Sequence, residues 1–116
     1  MNKKASGILG ALALVGALFF LGGAGGPTIS SDEAKSLVKQ GALLLDVRTT
    51  GEFAGGHVEG AVNVPVQELE ARLPPEKDRA VVIYCASGRR SAVARDMLLK
   101  AGYAKVFDLG AMSNWK

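Results

Sequence analysis

The sequence contains a single cysteine and a single histidine among its 116 residues. One cysteine cannot form a disulfide within the chain, and one cysteine with one histidine does not make a metal-ligand set. Aromatic residues make up only 6% of the chain, and no stripe of basic residues is interleaved with them. That scarcity excludes the usual pattern of a nucleic-acid-binding surface. The length leaves room for one domain.

Charged residues are nearly absent from the first two dozen positions. Lys3 and Lys4 precede an uncharged apolar stretch, and small residues follow it, with Gly22 and Ala24 at suitable −3 and −1 positions for cleavage. This layout is typical of a secretory signal peptide. The alternative is an uncleaved membrane anchor, because residues 5–24 approach the ~20 apolar residues that span a bilayer.

The sequence therefore predicts two regions, a signal peptide or N-terminal membrane anchor over 1–26 and a working domain over 27–116. We expect the domain to be exported: periplasmic, or anchored in the inner membrane with the domain facing the periplasm. Without Lys3 and Lys4, the 14 basic residues fall to 12 against 11 acidic ones, a net charge of +1. Neither charge sign therefore dominates the domain. A lone thiol in an exported protein is a candidate reactive group.

Short apolar runs alternate with helical patterns after the leader. Ser30 and Glu33 form a capping-box pattern, and Gly41 suits the end of that helix. Helical spacing also favours helices over 66–74 and 91–102, with one turn over 51–54. Strands are predicted over 42–46, 61–65, 79–85 and 104–110. The alternation predicts an α/β domain with a mainly parallel sheet of about five strands.

Cys85 ends the most apolar predicted strand, VVIYC, and the short segment ASGRR follows it. Ligands of parallel sheets bind outside the carboxyl ends of the strands. Small loop residues can turn their N–H groups inward, and the N-terminus of the next helix adds partial positive charge. Arg89 and Arg90 add fixed positive charge. The pattern favours a thiolate nucleophile next to an anion, although a buried structural cysteine is the alternative.

Two long segments, LLLDVRTTGEFAGGHVEGAVNVPV and VVIYCASGRRSAVARDMLLKAGYAKVFDLGAMSNW, resemble the motifs of single-domain rhodaneses over roughly residues 29–115. The resemblance implies a five-stranded parallel sheet flanked by helices on both faces. It also implies a thiosulfate sulfurtransferase in which Cys85 becomes a persulfide and passes its sulfur to cyanide or a thiol. No cofactor is expected, because the sulfur is carried by the enzyme. Ala111 departs from the second glycine of many relatives, for which we expect a local effect only.

The residues expected to bind substrate follow the nucleophile directly: Ala86, Ser87, Gly88, Arg89, Arg90 and Ser91. Asp46 and Arg48 are predicted to form a buried pair that supports the loop carrying Cys85, and His57 belongs to a structural turn in relatives. Phosphatases with this kind of loop place an arginine six residues after the cysteine. Here that position is Ser91, so the bidentate clamp for a phosphate is missing.

Two further hypotheses stay open. The protein could bind sulfane or polysulfide sulfur and relay it without turnover, or it could be an inert interaction module of the same fold. The expected partners are a small-molecule sulfur donor, thiosulfate or polysulfide, and a thiophilic acceptor. We expect a monomer that contacts a membrane only through residues 5–24, if these are retained, and that binds no nucleic acid.

Overall fold

The computed structural model describes residues 27–116. The predicted leader over 1–26, whether signal peptide or anchor, lies outside the described residues. Within 27–116, none of the helices has the length and apolar character needed to cross a bilayer.

Short helices and strands alternate along the described chain. In order they are α1 (Ser31–Lys39), β1 (Leu43–Asp46), α2 (Thr50–Ala54), β2 (Val62–Asn63), α3 (Val66–Leu69), β3 (Val81–Cys85), α4 (Arg89–Lys100), β4 (Val106–Ala111) and a 3₁₀ turn (Met112–Asn114). The capping box at α1 is confirmed: Glu33 N–H donates to the Ser30 hydroxyl at 3.1 Å, and Ser30 N–H donates to the Glu33 carboxylate at 2.9 Å. Gly41 follows α1 with a φ of 109°.

The sheet is parallel, with strand order β2-β1-β3-β4. The α/β class is therefore confirmed, but the described residues form four strands and not five. Ile29 runs beside β4 and donates one backbone bond to the Asp108 carbonyl at 2.9 Å. The Ser30 cap turns the chain into α1 directly afterwards. One hydrogen bond is too little to make a fifth strand there.

Both faces of the sheet are covered, as predicted. On one face α3 and α4 pack against alternate strand residues, with Leu69 and Leu98 meeting Ile83 and Cys85. On the other face α1 and the C-terminal segment pack against a second cluster that includes Tyr84. Because successive strand residues point to opposite faces, β3 supplies both cores, and all five of its residues are buried.

Two helices differ from their predicted bounds. The helix predicted over 66–74 ends at Leu69, and turn-type bonds from Ala71 to Glu68 and from Arg72 to Leu69 follow it. Leu73 precedes Pro74, and a residue before proline disfavours helical geometry. The helix therefore cannot extend to the end of the predicted range. The helix predicted over 91–102 begins two residues earlier, at Arg89, and ends at Lys100.

Candidate functional site

Cys85 is the last residue of β3 and lies at the carboxyl edge of the sheet. The β-branched run that precedes it favours a strand, and the strand is flanked by β1 and β4. The thiol is fully buried, on the face covered by α3 and α4. It has no disulfide partner among residues 27–116, where it is a free cysteine.

Two backbone N–H groups converge on the sulfur of Cys85. Gly88 N–H donates to Sγ at 3.0 Å, and Ser91 N–H donates at 3.3 Å. Both donors belong to the junction between the loop and α4, whose N-terminus carries partial positive charge. Such an arrangement stabilises negative charge on a sulfur atom. We call these two groups, Gly88 N–H and Ser91 N–H, the sulfur cradle.

Gly88 determines how the loop enters the helix. Its φ of 101° lies in the left-handed region, which glycine adopts without strain, and no side chain caps the helix that begins at Arg89. The helix start predicted at Ser91 was therefore wrong by two residues. Ser91 is instead inside the first turn, where its hydroxyl donates to the Gly88 carbonyl at 3.1 Å. Ala86 and Ser87 remain exposed.

The two arginines after the loop have different environments. Arg90 forms a bidentate ion pair with Glu52 of α2, with N–O distances of 2.8 and 3.1 Å. The Arg90 guanidinium lowers the pKa of Glu52 to about 2, and the same hydrogen bonds raise the pKa of Arg90. Arg89 is exposed and has no ion-pair partner within the described part of the chain.

A groove of about 640 Å³ opens beside the loop on the side of β4. Its walls come from the start of α4, the end of β4 and the segments that flank them. The residues that line it are Thr28, Ser87, Gly88, Arg89, Ala92, Asp108, Gly110, Ala111 and Asn114. Arg89 is therefore the cation next to this opening, whereas Arg90 faces α2.

Asp46 and Arg48 form a buried pair at the end of β1. The Arg48 guanidinium donates to both Asp46 oxygens, the shortest contact being 2.7 Å, and it also donates to the Gly56 carbonyl at 2.8 Å. The hydrogen bonds that the Arg48 guanidinium donates to Asp46 raise the pKa of Arg48. These bonds fix the loop between β1 and β2, and the Arg48 guanidinium also lies 5.7 Å from the centre of the Tyr84 ring, next to Cys85 in the chain.

His57 lies in the same loop, and its ring stacks on Phe53 with a centroid distance of 3.7 Å. Its Nδ1 is 2.9 Å from the Phe53 carbonyl oxygen. These contacts are local to the loop. Within residues 27–116, no cluster of histidine, cysteine and carboxylate side chains could hold a metal ion.

Glu52 is a residue at this site that sequence reasoning did not single out. It also completes a capping box with Thr49: Glu52 N–H donates to the Thr49 hydroxyl at 3.1 Å, and Thr49 N–H donates to Glu52 at 2.9 Å. The T-x-x-E pattern could have predicted this helix start. It could not predict the Arg90 contact, which depends on how α2 and α4 are packed.

Comparison with known proteins identifies the family. A sequence profile of the Rhodanese-like domain matches residues 30–116. The chain is 35% identical over 109 residues to human thiosulfate:glutathione sulfurtransferase, a match that covers 79% of this chain and 95% of the relative. It is 34% identical to thiosulfate sulfurtransferase PspE of Escherichia coli over 60% of this chain and 70% of the relative.

Among solved structures, the human single-domain sulfurtransferase TSTD1 matches with a TM-score of 0.69 and 32% identity, covering 77% of this chain and 94% of that one. Both sequence relatives thus carry sulfurtransferase names. The chain belongs to the rhodanese-like domain family.

Proposed function

We propose that the protein is a thiosulfate-type sulfurtransferase that carries a sulfane sulfur on Cys85. The observation that carries this proposal is the sulfur cradle, with two N–H donors within 3.3 Å of Sγ at the start of a helix. Two features of the loop add support: small exposed residues before Gly88 and an exposed arginine directly after it. The sulfurtransferase names of the relatives agree with the same chemistry.

The proposed reaction has two displacements at sulfur. The Cys85 thiolate attacks the outer, sulfane sulfur of thiosulfate, a new S–S bond forms, and the S–S bond of thiosulfate breaks as sulfite leaves with the electron pair. An acceptor nucleophile, cyanide or a thiolate, then attacks the outer sulfur of the persulfide, and the Cys85 thiolate leaves. No net oxidation occurs, so no cofactor is required.

The sulfur cradle acts in both steps. The N–H donors hold the Cys85 sulfur as it attacks and stabilise the thiolate when it leaves in the second displacement. The persulfide extends the side chain by one S–S bond of about 2 Å. We propose that Arg89, which has no ion-pair partner within residues 27–116, contacts the donor anion. Arg90, engaged by Glu52, instead orients the first turn of α4.

The test is steady-state sulfur transfer from thiosulfate to cyanide, with thiocyanate release as the readout. We expect turnover by the full chain and none by the Cys85→Ser variant, whose hydroxyl is a far weaker nucleophile. A low-molecular-weight thiol replaces cyanide in a parallel assay. Equal thiocyanate release by both proteins would refute the proposal.

The alternative is a non-turnover protein that binds sulfane or polysulfide sulfur and relays it to a partner. It shares the Cys85 persulfide but predicts that cyanide removes the sulfur slowly or not at all. An inert interaction module predicts no persulfide. A single-turnover experiment, in which sulfur-loaded protein is mixed with cyanide, distinguishes the three.

We also propose that residues 1–26 direct export, so that the domain works in the periplasm or at the outer face of the inner membrane. This proposal is supported by the sequence pattern of the leader alone. Fractionation of cells that express the chain, followed by the intact mass of the recovered protein, tests export and cleavage together. Recovery of the whole chain in the cytoplasm would contradict it.

A further inference from the structure

Asp108 is a buried carboxylic acid that the proposed reaction does not use. It lies in β4, is 2% exposed and contributes to the wall of the groove beside the loop. Burial raises its pKa. A buried carboxylic acid reduces the free energy of unfolding relative to an apolar residue unless its polar atoms are hydrogen-bonded.

Asp108 stabilises a bulge in β4. In the register with β3, Ile83 pairs with Asp108 but Tyr84 pairs with Gly110, so Leu109 is an extra residue. The Asp108 carboxylate accepts a hydrogen bond from Gly110 N–H at 2.8 Å. A bulge leaves a backbone group without its ladder partner, and here the side chain supplies one.

This bulge lies beside the sulfur cradle. A Cβ atom added at Gly88 would lie 3.7 Å from Gly110 Cα and 3.9 Å from Ala111 N, so the backbone of the bulge is what lies closest to that position. The Ser91 hydroxyl donates its proton to the Gly88 carbonyl and not to Asp108. Asp108 is therefore linked to the cradle through the bulge at Gly110.

The charges around Asp108 come from α4. Arg95 lies one turn after Ser91 and attracts the Asp108 carboxylate, whereas the neighbouring Asp96 repels it. The Nε of Arg95 is buried and has no hydrogen-bond partner within the described residues. Arg95 thus partly compensates the buried carboxylate without forming a close ion pair with it. The position of the carboxylate depends on its hydrogen bond from Gly110 N–H.

We propose that Asp108 is a positioning residue of the active site: its carboxylate accepts a hydrogen bond from Gly110 N–H, fixes the bulge in β4, and thereby keeps the neighbouring Gly88 N–H aimed at Cys85 Sγ. This inference rests on the function proposed above, because it assigns the residue a part in sulfur transfer. Asp108 itself touches neither substrate nor the reacting sulfur.

The first test is Asp108→Ala in steady-state sulfur transfer from thiosulfate to cyanide, because alanine removes the acceptor of Gly110 N–H. Deleting a donor outright costs about 10²–10³ in kcat, so a displaced donor is expected to cost about tenfold. The KM for thiosulfate should stay within about twofold, because the anion contact at Arg89 is unchanged. Asp108→Asn, whose amide oxygen can still accept from Gly110 N–H, should restore most of the kcat.

The control is Leu37→Ala, in α1 on the opposite face of the sheet from Cys85. It removes packing without touching the cradle, so it should lower stability and leave kcat unchanged. A second readout does not depend on activity: amide hydrogen exchange of Gly88 in the reduced protein. We expect exchange about tenfold faster in Asp108→Ala than in Leu37→Ala at matched stability, because local opening becomes easier.

Values of kcat and exchange for Asp108→Ala equal to those of Leu37→Ala would overturn the inference and leave the proposed function standing. If the unsubstituted protein forms no persulfide, the proposed function fails, and the exchange comparison still decides whether Asp108 fixes the Gly88 donor. If Asp108→Ala does not fold, Asp108→Val, which favours a strand and has no acceptor, decides by the same two measurements.

Discussion

The substitution Gly88→Ala separates backbone strain from loss of function at the sulfur cradle. Gly88 has a φ of 101°, and its N–H donates to Cys85 Sγ at 3.0 Å. A Cβ atom there would meet Gly110 Cα at 3.7 Å, an ordinary van der Waals contact. The cost of the added methyl group is therefore conformational and not steric. Left-handed geometry costs a residue with a Cβ about 1–2 kcal/mol.

Gly102→Ala is the matched control. Gly102 follows α4, also has a φ of 101°, and a Cβ there would lie 3.7 Å from Lys77 Cδ. The two substitutions should thus reduce the free energy of unfolding by the same amount. For a domain of this size, each kcal/mol corresponds to about 4–8 °C in Tm. Gly102 has no part in the sulfur cradle.

Only Gly88→Ala should impair sulfur transfer. Alanine relieves its strain by rotating toward negative φ, which turns the Gly88 N–H away from the sulfur. Loss of one such donor costs about 10²–10³ in rate, so we expect a fall of about 100-fold in thiocyanate release. The assay pairs thermal unfolding with the initial rate for both variants. Equal rates in Gly88→Ala and Gly102→Ala, at equal Tm, would refute the role of the cradle.

Three further predictions concern charged residues. Arg89→Ala should raise the KM for thiosulfate about tenfold, because it removes a charge-assisted contact with the anion. Arg79→Ala, at the opposite end of β3, should leave the KM unchanged. Equal KM values for the two variants would contradict the prediction. Arg48→Met leaves the Asp46 carboxylate buried without a compensating charge, so urea unfolding should show a free energy of unfolding lower by about 3–5 kcal/mol. A change near zero would show that the pair does not stabilise the fold. Glu52 has a folded pKa of about 2, lowered from 4.5 chiefly by Arg90, so the stability it contributes is present above pH 4.5 and lost as the pH falls through about 2. Carboxyl NMR titration should give that low midpoint, and Arg90→Ala should return it toward 4.5; an unchanged midpoint would exclude Arg90 as the cause.

The sequence was informative where local rules decide the structure. Ser30, Glu33 and Gly41 specify α1 through its caps, and the β-branched run before Cys85 specifies β3. Local rules were insufficient where packing decides. The described residues form four strands and not the five expected from the resemblance. Ile29 makes a single backbone hydrogen bond beside β4, because the cap at Ser30 begins α1 immediately.

The same limit applies to the site. Successive residues of a helix point about 100° apart, so a shift of two residues in the start of α4 changes which arginine faces which neighbour. Spacing alone could not assign Arg90 to Glu52 and leave Arg89 beside the groove. The sequence also could not predict the role of Asp108, because that role depends on a bulge in β4 that no sequence pattern indicates.

Whether Cys85 carries the transferred sulfur can be measured by intact mass spectrometry of the full chain. After incubation with thiosulfate, we expect a gain of one sulfur atom that is absent in Cys85→Ser and is lost, with release of thiocyanate, when cyanide is added. No gain in mass from thiosulfate, with the protein folded and the thiol free, would show that Cys85 does not carry the sulfur.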